Sequence, residues 1–150
     1  MKPIVTLLSS LIFSLIVTSC KLQQAETELI IDSGTSISHV PVEFSLQTSI
    51  IDGRMVFVGV GGEIDGVINP DLIVQPGKAV HLIITNKDGI PHDLLIPDLN
   101  IQVPLISGNG ATTGVNFALR ENQVGTYSYF CTVSGHRQAG MEGKLIVVEP

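Results

Sequence analysis

From Val42 onward the chain offers apolar runs too short for helices and interrupts them at nearly regular intervals. The runs "VEFSLQ", "RMVFVGV", "DLIV", "AVHLIIT", "HDLLI", "VNFALR", "TYSYF" and "GKLIVVE" are parted by "GGEIDG", "QPGK", "NKDGIP" and "ENQVG", with a less regular stretch at "PDLNIQVPLISGNGATTG". No window of a dozen residues holds a 3.6-residue period, whereas alternation and β-branched runs recur. The 15 Gly and 8 Pro supply the breaks. Seven or eight short strands in roughly 105 residues predict an all-β fold, an antiparallel β-sandwich with Greek-key connections.

The composition fits one such domain with an appendage. Hydrophobic residues make up 44% and charged residues 15% of the 150, enough apolar material for a core and too little charge for a disordered chain. A formal charge of −6 and the lack of any Lys/Arg cluster exclude nucleic acid as a partner.

The N-terminus reads as a targeting segment. "MKPIVTLLSSLIFSLIVTSCK" carries one Lys, an apolar run from Ile4 to Val17, then small residues ending at Cys20. At about 14 residues, interrupted by serines, the run is too short for a membrane span and suits a secretory signal. Its end, "VTSC", resembles the bacterial lipobox, in which the signal is cut before a Cys that then carries the lipid. The resemblance implies a signal over 1–19, lipidation at Cys20, a tether over 20–45 and the domain over 46–150. In a Gram-negative cell, Lys21, where an Asp would retain such a lipoprotein in the inner membrane, implies an outer-membrane address. A tether of about 20 flexible residues would let the domain stand near 25 Å from its anchor. His39 lies in that tether and is expected to be an ordinary exposed side chain.

If Cys20 is acylated, Cys131 remains a lone thiol in an oxidising compartment, and such a thiol needs burial or a metal. The loop "CTVSGHRQAGM" offers a metal. Cys131 ends one strand, Met141 precedes the next, His136 lies midway, and Gly135, Ala139 and Gly140 let the backbone turn tightly. His92, at the start of "HDLLI", is the candidate fourth ligand. Two His, one Cys and a weak Met form the ligand set of a blue-copper electron-transfer site. The soft thiolate stabilises Cu(I), neutral imidazoles suit both oxidation states, and a distant thioether avoids favouring Cu(II). This expectation fails if His92 lies more than about 8 Å from the Cys131 sulfur, since metal bonds are about 2 Å long.

On these motifs the chain from about Arg54 to Val148 resembles the cupredoxins. "MVFVGVGGEIDGVINPDLIVQPG", "GIPHDLLIPDLN" and "GTYSYFCTVSGHRQAGMEGKLIV" are similar to the cupredoxin domain at the N-terminus of some three-domain copper nitrite reductases, and the Cys-His-Met spacing resembles that of rusticyanin. The resemblance implies one type 1 copper held by His92, Cys131, His136 and Met141. Ser134 stands where the family usually has Pro, which bears on loop rigidity. Asp93 is expected to offer its backbone N–H to the thiolate and its carboxylate to Thr132, tying two ligand loops together. One of Tyr129 and Phe130 should enter the core, and His81 should sit on an exposed strand face. By analogy with cupredoxins, His136 would be the electron port within an apolar patch of Ile90, Pro91, Val133, Ala139 and the Gly59–Gly62 loop. The implied function is single-electron transfer in the periplasm with redox proteins such as a c-type cytochrome, an oxidase or a reductase, and with the membrane reached through the lipid. The alternatives are copper delivery or storage, or service as accessory donor to a copper nitrite reductase or terminal oxidase. Catalysis by the chain alone is not expected. A second copper would need further His ligands, of which only His39 and His81 remain, and a binuclear oxidase-type centre needs two Cys in one loop.

Overall fold

The computed structural model describes residues 41–149; the expected signal, Cys20, and the expected tether up to Val40, with His39 in it, lie outside the described residues. Nine strands fall into two sheets: β1 (Val42–Ile51), β2 (Arg54–Val60), β3 (Leu72–Val74), β4 (Ala79–Thr85), β5 (His92–Ile96), β6 (Ile101–Ile106), β7 (Thr112–Ala118), β8 (Gly125–Phe130) and β9 (Glu142–Val147). One sheet runs β2-β1-β4-β7 and the other β3-β9-β8-β5-β6. Among the described residues the only helical elements are three short 3₁₀ turns.

The strand periodicity explains the layers. In β4, Val80, Leu82 and Ile84 are buried while the residues between them are not, as a period of two requires when one face meets the core. They face Leu72, Leu94, Ile96, Tyr129 and Leu145 of the other sheet within one continuous cluster. Burying each Leu or Ile contributes about 1.5–3 kcal/mol relative to leaving it exposed. The β1–β2 hairpin turns on Asp52 and Gly53, both at positive φ (49° and 75°), the Asp-Gly pattern of a two-residue loop that matches strand twist.

Three features differ from the sequence expectation. The sandwich is mixed rather than purely antiparallel, because β1 pairs in parallel with β4 and β3 with β9. The parallel pairs arise where the chain crosses between sheets before returning. The irregular stretch after Asn100 contains strand β6, even though Pro104 sits in it; β6 is an edge strand, where a missing N–H costs no ladder bond. Finally, Val42 already pairs with Val80, so β1 begins ahead of the expected domain boundary at 46.

Candidate metal centre

The site is built where β5 meets β8 and β9. The last ladder pair of β8 and β9 is Phe130 with Glu142. Cys131 and Met141 are the next residues outward, and the Cys131 N–H donates to the Met141 carbonyl at 3.1 Å, closing the base of the loop. Inside it, the His136 N–H donates to Val133 O, and the Met141 N–H to His136 O. Gly135 and Gly140 take φ of 85° and 104°, a region that disfavours side chains and explains the small residues there. His92 opens β5. The β5–β6 register shifts between His92 and Leu94, and His92, Asp93 and Leu94 are buried in succession; such an irregularity locally bends the strand and re-aims its side chains.

Three donor atoms converge. His92 Nδ1 lies 3.1 Å from His136 Nδ1, and Cys131 Sγ lies 3.9 Å and 3.5 Å from them, respectively. A triangle with sides of 3.1, 3.5 and 3.9 Å has a centre about 2.05 Å from every corner, close to the roughly 2.0–2.3 Å of metal–nitrogen and metal–sulfur bonds. The donor set is soft thiolate plus two imidazoles in a trigonal array, the set that suits copper in both oxidation states. Met141, wholly buried, is pinned beside them through its backbone.

The surroundings are low in water. Cys131 is 1%, His92 0% and His136 6% exposed. Burial raises the thiol pKa of Cys131, and the backbone N–H groups of Asp93 and Val133 oppose that rise by bonding the sulfur. Burial also lowers the basicity of His136, as does the neighbouring His92 ring. Asp93, itself buried, accepts the Thr132 N–H at 2.6 Å on one carboxylate oxygen and the Thr132 hydroxyl on the other. The start of β5 and the loop after β8 are thereby joined.

Sequence reasoning missed three supporting residues. Asn86 is fully buried; its side-chain oxygen accepts the N–H groups of Asp88 (3.2 Å) and Gly89 (2.8 Å), and its amide donates to Ile90 O (2.6 Å). This Asn-centred turn shapes the approach to His92. Asp88 sets its carboxylate oxygens 2.9 and 3.1 Å from His92 Nε2. Burial works against ionising Asp88, but the Ile90 N–H and hydrogen bonds with His92 and Thr48 outweigh it and hold the carboxyl below its usual range. Asn69 accepts the Phe57 N–H (3.0 Å) and donates to Gly140 O (2.7 Å), tying β2 to the ligand loop. The visible signals were "INP" and "TNKDG", both turn-forming, but nothing in them specified a partner 71 residues away.

Other expectations resolve simply. Tyr129 enters the core, edge-on to Phe57, with its hydroxyl donating to Pro70 O at 2.7 Å. Phe130 lies half-buried beneath the Arg137 guanidinium. His81 lies on a strand face within 3.7 Å of Glu43. The Gly59–Gly62 loop does not join the patch near His136. Val60 pairs with Ser45, near the start of β1, and Gly61 and Gly62 line a cleft with Val42, Phe44 and Ile73. The ligand loop lies at the other end of β2, where Gly140 meets Arg54 and Met55. Gly59 is required for a different reason: a Cβ there would strike the Ile64 carbonyl.

A two-sheet scaffold presenting two imidazole nitrogens and one thiol around a common centre defines a type 1 copper protein. Residues 63–147 match the family model of the cupredoxin-like domain, and the chain belongs to that family. No curated protein sequence matches it. Among solved structures it is similar to Fet3p, a multicopper oxidase that functions in iron import (25% identity, TM-score 0.53, covering 71% of this chain and 23% of that one). It is also similar to the multicopper oxidase McoA of Aquifex aeolicus (18%, TM-score 0.50, 71% and 26%) and to auracyanin B (19%, TM-score 0.50, 71% and 88%). The chain thus spans about a quarter of the two oxidases.

Proposed function

We propose that this protein carries single electrons between redox partners in the periplasm, using one type 1 copper held by His92, Cys131, His136 and Met141. The observation that carries the reading is the triangle of Nδ1, Nδ1 and Sγ, all donors buried and within 3.9 Å of one another. Bound there, copper supplies a one-electron couple. The chain's own residues do the rest. The β5 irregularity and the closed base of the β8–β9 loop hold the donors in one arrangement, so a change of charge demands little movement. The backbone N–H groups of Asp93 and Val133 favour the thiolate and oppose the rise in thiol pKa that burial brings. Burial of Cys131, His92 and Met141 excludes water and competing ligands, which favours retention of the ion over delivery to an acceptor.

His136 is the proposed port. It is the most exposed of the donors, beside exposed Ser134 and Gly135 in its own loop. Pro91 is exposed and Ile90 half-buried in the approach to His92, and Ile106, paired with His92, brings exposed Leu105 to the same end. Such a surface suits a small, short-lived contact below about 1,200 Å². A c-type cytochrome, a terminal oxidase or a copper nitrite reductase would be a fitting partner. We further propose that residues 1–19 are removed, that Cys20 is lipidated with an outer-membrane address, and that residues 20–45 tether the copper domain. We read the protein as a carrier and not an enzyme.

Copper-loaded protein should be intensely blue, show the narrow copper hyperfine splitting of a type 1 site, and cycle reversibly with a reduced c-type cytochrome; Cys131→Ser should abolish the colour. A colourless protein that surrenders its copper to an acceptor would overturn the reading.

A further inference from the structure

The His92 ring is held on both sides, and the side away from the thiol is held by a carboxylate. Asp88 Oδ1 and Oδ2 lie 2.9 and 3.1 Å from His92 Nε2. The His92 ring is wholly buried and the Asp88 side chain is 8% exposed. A carboxylate accepts hydrogen bonds and donates none when ionised, so the proton of a neutral His92 ring must sit on Nε2. The lone pair of Nδ1 then points toward Cys131 Sγ and His136 Nδ1. Asp88 is itself constrained. Its Oδ1 accepts the Ile90 N–H at 2.9 Å, its own N–H donates to Asn86 Oδ1 at 3.2 Å, and the next residue along the chain, Gly89, is held by the same Asn86 oxygen. The Thr48 hydroxyl on β1 accepts the N–H of Lys87 at 3.1 Å. The carboxylate therefore stands on a hydrogen-bonded turn and is not a wandering surface group.

We propose that Asp88 is a positioning residue for the copper centre: it fixes the tautomer and orientation of His92 and, by drawing on the Nε2 proton, makes Nδ1 a stronger donor that favours the oxidised ion. The proposal rests on the electron-carrier reading for its redox consequence, though not for the tautomer. Partial negative charge pushed onto the imidazole stabilises Cu(II) more than Cu(I), because the attraction grows with the charge of the ion. Partners of this kind govern metal affinity by about 10–100-fold. Neutralising the carboxylate should therefore weaken Cu(II) binding about tenfold relative to Cu(I), which raises a one-electron potential by about 59 mV.

Two measurements test this. Nitrogen NMR of the metal-free protein should show His92 as the Nε2–H tautomer, and Asp88→Ala should release it to a mixture; His92 carrying its proton on Nδ1 in the unaltered protein would overturn the proposal without reference to copper. In the copper-loaded protein, Asp88→Asn should keep the blue colour while the potential rises by the stated amount. A merely structural Asp88 would leave the potential in place, and an unchanged potential in a blue Asp88→Asn protein overturns the inference while the carrier reading stands. An unaltered protein that never turns blue overturns the carrier reading, and the tautomer measurement then decides alone.

Discussion

Replacing Asp93 with Ala removes the carboxylate that ties the start of β5 to the loop after β8. Two bonds are lost, one from the Thr132 backbone and one from its hydroxyl, both to a buried carboxylate. Hydrogen bonds to charged groups contribute about 1.5–3 kcal/mol each. These are net figures that already include taking the carboxylate out of water, and the low end applies to each bond here. Thr132 is exposed, so water can reach part of the orphaned pair. The balance is a loss of about 3 kcal/mol. The described fold of about 110 residues unfolds with an entropy of about 2.1 cal/mol/K per residue, or about 0.23 kcal/mol/K in all. The melting temperature should accordingly fall by about 13 °C. Asp93→Asn keeps the shape and one acceptor and should lose only about 1 kcal/mol. The assay is thermal unfolding of metal-free protein, so that metal loss does not enter. Equal melting temperatures for the Ala variant and the unaltered protein would refute the idea that this clamp holds the loops together.

Asn69→Ala should cost about 2–3 kcal/mol in urea unfolding, because Asn69 sits at φ 48° and makes bonds to Phe57 and Gly140; Asn69→Gly should recover only the backbone part. Burial, and then the charge of Asp71, push the Tyr129 hydroxyl above its ordinary pKa. The unfolded chain therefore loses that proton first, and stability should fall from about pH 10 upward by as much as about 1.4 kcal/mol per pH unit; Tyr129→Phe should flatten that limb of a pH-dependent denaturation series. Gly143→Ala should destabilise by more than about 2 kcal/mol on thermal unfolding, since a Cβ there would strike the Tyr129 ring and hydroxyl. Leu82→Ala, at a wholly buried core position, should cost about 2–5 kcal/mol in the same measurement.

The strands were legible because their apolar runs obey a period of two and end at Gly, Pro, Asn and Asp. Where that signal was corrupted it misled: Pro104 hid β6, because sequence does not announce which strand will be an edge. Pairing direction was equally hidden, since parallel partners β1 and β4 lie far apart in the chain. The donors within the loop were readable from fixed spacing, and the His92 approach from its position before a strand. Their support was not. Asp88 in "NKDG" looks like any turn residue, and only the folded turn around Asn86 shows its carboxylate aimed at an imidazole. The Gly59–Gly62 loop failed as a docking surface for the converse reason: glycine is as often demanded by a close backbone crossing as by a smooth exterior.

The hydrogen bond from the Cys131 N–H to the Met141 carbonyl has a consequence for how this molecule can change over generations. Because the stem is fastened there, and flanked by the Thr132–Asp93 and Gly140–Asn69 bonds, exchanges confined to Ser134 through Ala139 should redirect His136 alone. The two sulfur-bearing positions, and the sandwich beneath them, should tolerate such edits without relearning how to fold.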